Sequence, residues 1–251
     1  MQSVRRQTDP ELVTAAVPAY LLALEGLLVA TPRDPGLLLT AAQGYAAFGA
    51  LLERDAPDRA RELYDRGRDC GLAALAQRRG GGDLRRLPYA DFTAWCSRLR
   101  PDDVPTVFWT AAAWGAAIGV SLQSPAALAG APKAVYLMEW VAQREPGFEY
   151  GSAYLLLGAY YGAVPPALGG RPDQARACFE RAIAVSQGRN LLAYVLEARY
   201  YARPSLDREL FVGLLERALT PPAGAAPELA LQNALAQAQA RALLEDVDEW
   251  F

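Results

Sequence analysis

Apolar residues recur along most of this chain every three to four positions, the spacing that places them on one side of a helix. The first such segment runs from Asp9 to Ala30 and opens with an N-cap carboxylate followed by Pro10, which suits the first helical position. Further helical segments follow in pairs, divided by breaks rich in proline and glycine. No segment has the period of two that strands show. The pattern therefore predicts an all-α fold.

The second helices of three successive pairs share one packing signature: a small residue, a large one four positions later, and a third residue three positions after that. The three sets are Ala60, Tyr64 and Gly67; Ala134, Met138 and Val141; and Ala175, Phe179 and Ala182. In the third pair the first helix contributes Gly158 and Tyr161. Small residues let paired helices approach while large ones fill the gap, as in tetratricopeptide repeats. The signature predicts a solenoid of tetratricopeptide-like hairpins with N-terminal and C-terminal capping helices.

These signals assign residues 1–251 to a single all-α repeat domain. Gly80 to Gly82 must form a loop, because three glycines cost too much backbone entropy inside a helix. The distance from Tyr161 to Ala175 is also long for such a repeat, so the third hairpin loop carries an insertion around Pro165, Pro166 and Gly169. The predicted ranges are the N-terminal helix 9–30, first hairpin 36–78, insertion 79–103, second hairpin 104–146, third hairpin 148–187, fourth hairpin 189–220 and C-terminal capping helix 226–251.

The composition excludes several classes of function. With 25 basic and 28 acidic residues the chain offers no electrostatic surface for nucleic acid. Histidine is absent, which excludes serine-histidine and cysteine-histidine catalysis and removes the commonest metal ligand. Cys70, Cys96 and Cys178 are scattered without a metal-binding spacing, and we interpret them as buried thiols. We predict that the protein is not an enzyme and has no cofactor and no metal.

The segment from Leu12 to Ala30 is the closest approach to a membrane span or signal peptide. Asp9, Glu11, Pro18 and Glu25 interrupt that pattern. We therefore interpret it as an amphipathic helix of the mature fold.

Candidate ligand contacts follow from the repeat geometry, since the first helix of each tetratricopeptide hairpin lines the concave surface. Aligning the hairpins by the small residue before tyrosine gives small, apolar and almost uncharged positions, which suit an apolar small molecule better than a charged peptide. Trp109 would offer a flat apolar wall and Arg199 would hold a carboxylate through two hydrogen bonds; alternatively Trp109 is core and Arg199 a solvated charge. The proposed ligand-binding residues are Gln43, Trp109, Leu155, Val195 and Arg199.

Three sequence blocks resemble one family of transport proteins: Gly169 to Ala175 (GGRPDQA), Ser186 to Leu192 (SQGRNLL) and the closing Asp248 to Phe251 (DEWF). Together with Leu231 to Ala236 they make the chain similar to the T component (TatT family) of tripartite ATP-independent periplasmic (TRAP) transporter systems. The resemblance covers nearly the whole chain.

The resemblance implies an accessory periplasmic protein, lipid-anchored to the membrane, that binds the solute-binding protein of the same transport system. It also implies a homotrimer and a hydrophobic small-molecule ligand. The lipid-attachment cysteine and signal peptide of that family are not in this sequence. The alternative function is a general peptide- or protein-binding tetratricopeptide-like scaffold, and an enzyme is a distant third.

Two kinds of polar residue stand out. Asn190 and Asn233 lie in apolar helical surroundings, where each is either a buried amide bonded to backbone or a ligand contact. Asp102 and Asp103 form a carboxylate pair that we interpret as a solvated helix end.

Overall fold

The computed structural model describes residues 6, 9–163, 170–220, 222–224 and 226–251. These residues form helices joined by turns, and no strand occurs among them. The all-α prediction is confirmed. The predicted loop residues Pro165, Pro166 and Gly169 lie outside the described residues. Contacts divide the chain into two compact units, Glu11–Glu145 and a C-terminal unit of Pro146–Phe251 with Met1–Pro10. The single repeat domain and its solenoid arrangement stay predictions.

The N-terminal unit is built from helices that pack on their neighbours in the chain. Its helices are α1 Pro10–Ala30, α2 Pro35–Leu52, α3 Pro57–Arg79, α4 Tyr89–Cys96, α5 Val104–Gly119, α6 Pro125–Leu128 and α7 Ala131–Arg144, with a 3-10 turn at Pro101–Asp103. Helix α2 packs along α3, α3 along α5, and α5 along α7, while α2 also contacts α5. Neighbouring helices of this unit are thus in contact, and the predicted hairpin ranges stay predictions.

The C-terminal unit continues the same succession of paired helices. Its helices are α8 Ser152–Ala163, α9 Pro172–Ser186, α10 Leu192–Glu197, α11 Arg208–Leu219 and α12 Ala230–Glu245. A π-helix, Ala198–Ala202, extends α10, and 3-10 turns lie at Phe148–Gly151, Pro227–Leu229 and Val247–Glu249. Helix α8 packs along α9, and α10 contacts α8, α9, α11 and α12. The fourth predicted hairpin therefore has a π-helical turn inside its first helix.

The repeat signature lies in the core of both units. All of its predicted members are buried: Ala60, Tyr64, Ala134, Met138, Gly158, Tyr161, Ala175, Phe179 and Ala182. Gly49 on α2 faces Tyr64 on α3 so closely that an added Cβ atom would lie 2.5 Å from the ring. Gly158 on α8 faces Phe179 on α9 in the same way, at 2.7 Å. Small residues on the first helix thus make room for the aromatic ring of the second, which is the packing that the signature predicts.

The only lysine of the sequence holds the insertion against α7. The Nζ atom of Lys133 donates to the carbonyl oxygens of Arg85 at 2.7 Å and Leu87 at 2.5 Å, and it lies 5.3 Å from the ring centroid of Phe92. Burial of the ammonium group lowers the pKa of Lys133, and Asp83 acts in the opposite direction. One flexible cation with several donors therefore satisfies two loop carbonyls at once.

Candidate functional site

Two contacting helices of the N-terminal unit each have a half-buried, uncharged side. On α5 these positions include Trp109, Ala112 and Ala116, which follow one another at the spacing of a helical turn. On α2, which packs against α5, Gln43 and Ala47 are half-buried in the same way. Trp109 and Gln43 therefore have the partial exposure that ligand contact requires. Their role as ligand contacts stays a prediction.

Trp109 has a feature that packing alone does not explain. Its ring packs edge-to-face on Phe108, with centroids 5.2 Å apart. Its Nε1–H is buried, and no acceptor for it lies within the described part of the chain. Leaving such a donor unpaired costs about 1–3 kcal/mol. Buried polar groups without a partner are rare in folded proteins, so this unpaired N–H calls for an explanation.

The candidate positions in the C-terminal unit are placed differently. Leu155 is 2% exposed and packs with Ala182 and Ala193, while Val195 is fully buried among the residues of α10, α11 and α12. The half-buried residues lie one position later, at Leu156 and Leu196. One residue corresponds to a rotation of about 100° around a helix. Contact between a ligand and Leu155 or Val195 stays a prediction, and Leu156 and Leu196 have more of the required exposure.

Arg199 lies on the π-helix and is exposed. Its guanidinium carbon is 5.8 Å from the centroid of the Tyr200 ring, and it forms no ion pair with any carboxylate in the described ranges. π-Helical turns often occur at functional sites. The guanidinium is therefore available to a carboxylate from outside the chain, as the sequence predicts, and binding there stays a prediction.

Glu197, just before the π-helix, is a buried acid that the sequence analysis did not identify. It is 5% exposed and, among the described residues, receives no hydrogen bond. Burial raises the pKa of Glu197 to about 7, with a further rise from Glu180 and opposing effects of Arg176 and Arg217. A single acid within the apolar run from Leu191 to Ala198 was the signal that could have identified it.

Asp103 corrects our interpretation of the carboxylate pair as a solvated helix end. Its side chain is fully buried and accepts hydrogen bonds from Arg78 Nε at 2.8 Å, Arg79 Nε at 2.5 Å and the Arg100 amide at 2.9 Å. Asp102 is 61% exposed and pairs with the same two arginines. The pair fastens the end of α3 to the turn before α5. Its role is structural, because every buried charge has its partner.

Asn190 and Asn233 bond to the protein itself. Asn233 accepts from the Leu191 amide at 3.0 Å and donates to the Arg189 carbonyl at 2.9 Å. Asn190 is fully buried, donates to Ser152 Oγ at 3.4 Å and accepts from Gln232 Nε2 at 2.7 Å. The predicted bonding to backbone is confirmed for Asn233, which is half-buried, whereas the buried Asn190 bonds to the side chains of Ser152 and Gln232 instead. These bonds hold α12 on the loop before α10.

A shallow cavity of about 420 Å³ lies beside α11, lined by Asp207, Glu209, Leu210, Gly213, Leu214 and Arg217. It contains none of the predicted ligand residues. Its lining is charged, and two of its charged groups have partners in the protein: Asp207 caps the Leu210 amide and Arg217 donates to the Tyr194 hydroxyl. The uncharged surface around Trp109 suits an apolar ligand better.

Cys96 is buried, but Cys70 and Cys178 are half-buried, so the interpretation of all three cysteines as buried thiols is correct only for Cys96. Burial raises the pKa of the Cys70 thiol to about 11 and that of Cys96 to about 12, so both thiols stay protonated near neutral pH. Within the described ranges no three acidic or cysteine side chains lie close enough together to hold a metal ion.

Comparison with known proteins gives the family. A protein of Treponema pallidum (strain Nichols), named only as uncharacterized, is 25% identical over 267 residues, which cover 98% of this chain and 81% of that protein. The model of the family described as "TRAP transporter T-component" matches residues 6–251. That match includes both compact units and nearly the whole sequence. The chain therefore belongs to the TRAP transporter T-component family.

Proposed function

We propose that this protein is the accessory component of a TRAP solute uptake system, which binds the solute-binding protein of that system and shelters a hydrophobic small molecule on the uncharged surface of α2 and α5. Family membership indicates the accessory role, association with the transporter system and a periplasmic or membrane-associated location. The family is not one of enzymes. The identity of the binding partners is our proposal.

The buried, unpaired Nε1–H of Trp109 is the observation that carries the ligand proposal. The half-buried residues Ala112 and Ala116 on the same side of α5, and Gln43 on the contacting helix α2, are uncharged. A ligand with an apolar chain and one acceptor oxygen would pack on these side chains and pair with the indole N–H after a small rotation of the ring. A neutral hydrogen bond of this kind contributes about 0.5–1.5 kcal/mol, and it also removes the cost of the unpaired donor.

The experiment is titration calorimetry with dodecanoate, which has an apolar chain and a carboxylate. Trp109→Phe removes the N–H and keeps most of the aromatic surface, so we expect about tenfold weaker binding. Trp109→Ala removes the surface as well and should weaken binding further. Trp140→Phe is the matched control, because Trp140 is a buried tryptophan of the same unit on α7. Equal affinity of Trp109→Phe, Trp109→Ala and the unmodified protein would refute this site.

The remaining parts of the proposal concern assembly. We propose a homotrimer, tethered to the membrane through a lipid on the precursor, with the solute-binding protein as the transient partner. Sedimentation of this protein with the solute-binding protein of the same system tests that association. A mixture that sediments as the two separate components would refute it.

A further inference from the structure

From Leu12 to Ala30, helix α1 has one face that is apolar and open to solvent. Its large exposed residues are Leu12 at 53%, Tyr20 at 37%, Leu22 at 69%, Leu27 at 55% and Val29 at 83%. The exposed residues between them are small: Ala15, Ala16, Ala19, Ala23, Gly26 and Ala30. From Leu12 to Ala30 this face therefore has no charged side chain.

The one charge of α1 after Glu11 is turned toward the protein. Glu25 accepts hydrogen bonds from the Tyr45 hydroxyl at 2.5 Å and from Arg66 at 2.9 Å. On the same inner side Val13, Val17, Leu21 and Leu24 are buried. Helix α1 is thus apolar on both sides: its inner side is covered by the fold, and its outer side needs a second cover.

The size of the outer face is that of a protein contact. Helix α1 has 21 residues and is about 31 Å long at ~1.5 Å per residue. Half of a cylinder about 11 Å across has a width of about 17 Å, so the face measures about 500 Å². Two such faces measure about 1,000 Å² together, so a contact that covers both completely reaches the lower size of a specific interface. Apolar patches of this area on soluble proteins usually mark interaction sites.

We infer that the outer face of α1 is the surface through which copies of this chain associate. The face has both projecting and shallow positions, so Leu22 or Leu27 of one copy fits the shallow positions at Ala19, Ala23 and Gly26 of the next copy around the proposed trimer. A Cβ atom added at Gly26 would meet nothing within 4 Å, so that position is open. Helices that lie on a lipid surface carry lysine and arginine beside their apolar face, and α1 has neither between Leu12 and Ala30.

This inference rests on the proposed self-association and adds the surface that performs it. The test is light scattering after size-exclusion chromatography, from micromolar to hundreds of micromolar protein. Leu22→Glu places a charge in the centre of the face, and we expect ~100-fold weaker association and a monomer mass at micromolar concentration. Leu206→Glu makes the same change on a residue 76% exposed in the turn before α11 and should keep the mass of the unmodified protein. Circular dichroism of both variants checks that they are folded.

The outcomes separate the two proposals. A Leu22→Glu protein that is folded and keeps its oligomeric mass overturns the α1 surface while the self-association stands. An unmodified protein that is monomeric over the whole range overturns both. Flotation with phosphatidylcholine vesicles is the third measurement: binding that Leu22→Glu abolishes without a change of mass would overturn the inference in favour of a lipid contact.

Discussion

The buried carboxylate of Asp103 gives the sharpest test of how the N-terminal unit is held together. Asp103→Asn keeps the shape of the side chain and removes its charge. It also replaces one acceptor oxygen with an NH₂ group, which then faces an arginine donor. Three hydrogen bonds end on the native carboxylate, from Arg78, Arg79 and the Arg100 amide.

The expected loss of unfolding free energy in Asp103→Asn follows from the burial of the ion pair. Removing one partner of a buried ion pair costs about 3–5 kcal/mol, because the remaining charge stays buried without compensation. The side chains of Arg79 and Arg78 are 14% and 32% exposed, and both still reach Asp102. We therefore expect Asp103→Asn to lower the unfolding free energy by about 3 kcal/mol, the lower end of that range. Asp102→Asn is the matched control, because Asp102 is 61% exposed and exposed pairs contribute about 1 kcal/mol or less.

The assay is urea unfolding of the unmodified protein and both variants at neutral pH. We expect the unfolding free energy to fall with urea concentration at the same rate in all three proteins. Burial alone would raise the pKa of Asp103, but hydrogen bonds from Arg79, Arg100 and Arg78 outweigh it and hold the pKa below its usual value of 3.8. The contribution of the carboxylate is therefore present above pH 3.8 and is lost as pH falls through the folded pKa. Equal losses for the two variants at neutral pH would refute the reasoning.

Three further predictions follow from buried polar groups. The pKa of Glu197 is about 7 in the folded protein against an ordinary value of 4.5, so the protein loses stability as pH rises through this interval. In urea unfolding, Glu197→Gln should therefore stabilise the protein by on the order of 3 kcal/mol at about pH 8 and only slightly at about pH 5. The same difference in unfolding free energy between Glu197→Gln and the unmodified protein at both pH values would contradict this prediction. Lys133→Met should lower the unfolding free energy by about 2 kcal/mol, since the carbonyls of Arg85 and Leu87 lose their donor. It should also speed amide hydrogen exchange in residues 79–103. Exchange as slow as in the unmodified protein would argue that Lys133 does not hold this insertion. Asn233→Ala should cost about 2 kcal/mol in thermal unfolding, because the Leu191 amide and the Arg189 carbonyl both lose their partner. An unchanged unfolding free energy would show that the two bonds contribute nothing.

The helices and the repeat signature could be predicted because they depend on neighbours in the chain. The period of apolar residues indicates the long helices, though not the short α6, and the proline-containing breaks at Pro35, Pro57 and Pro172 start helices where the structure has them. The Gly158 and Phe179 pairing follows from residue size alone. These features need no knowledge of distant contacts.

The exposure of individual side chains was harder to predict. Aligning hairpins by one small residue placed Trp109 and Gln43 at half-buried positions, yet the same offset in the C-terminal unit reached the buried Leu155 and Val195. A difference of one residue turns a side chain by about 100°, and the π-helix at Ala198–Ala202 changes the register locally. No local pattern signals either effect.

The sequence by itself determined the all-α class and the family, because these depend on periodicity, break residues and motif order. Only the tertiary structure decided which of two adjacent aspartates is buried, that Glu197 lies within the packed core, and that the indole N–H of Trp109 has no partner among the described residues. The physical reason is that desolvation and pairing are set by what packs against a group. For Asp103 those partners are the arginines at the end of α3, more than twenty residues away in the chain.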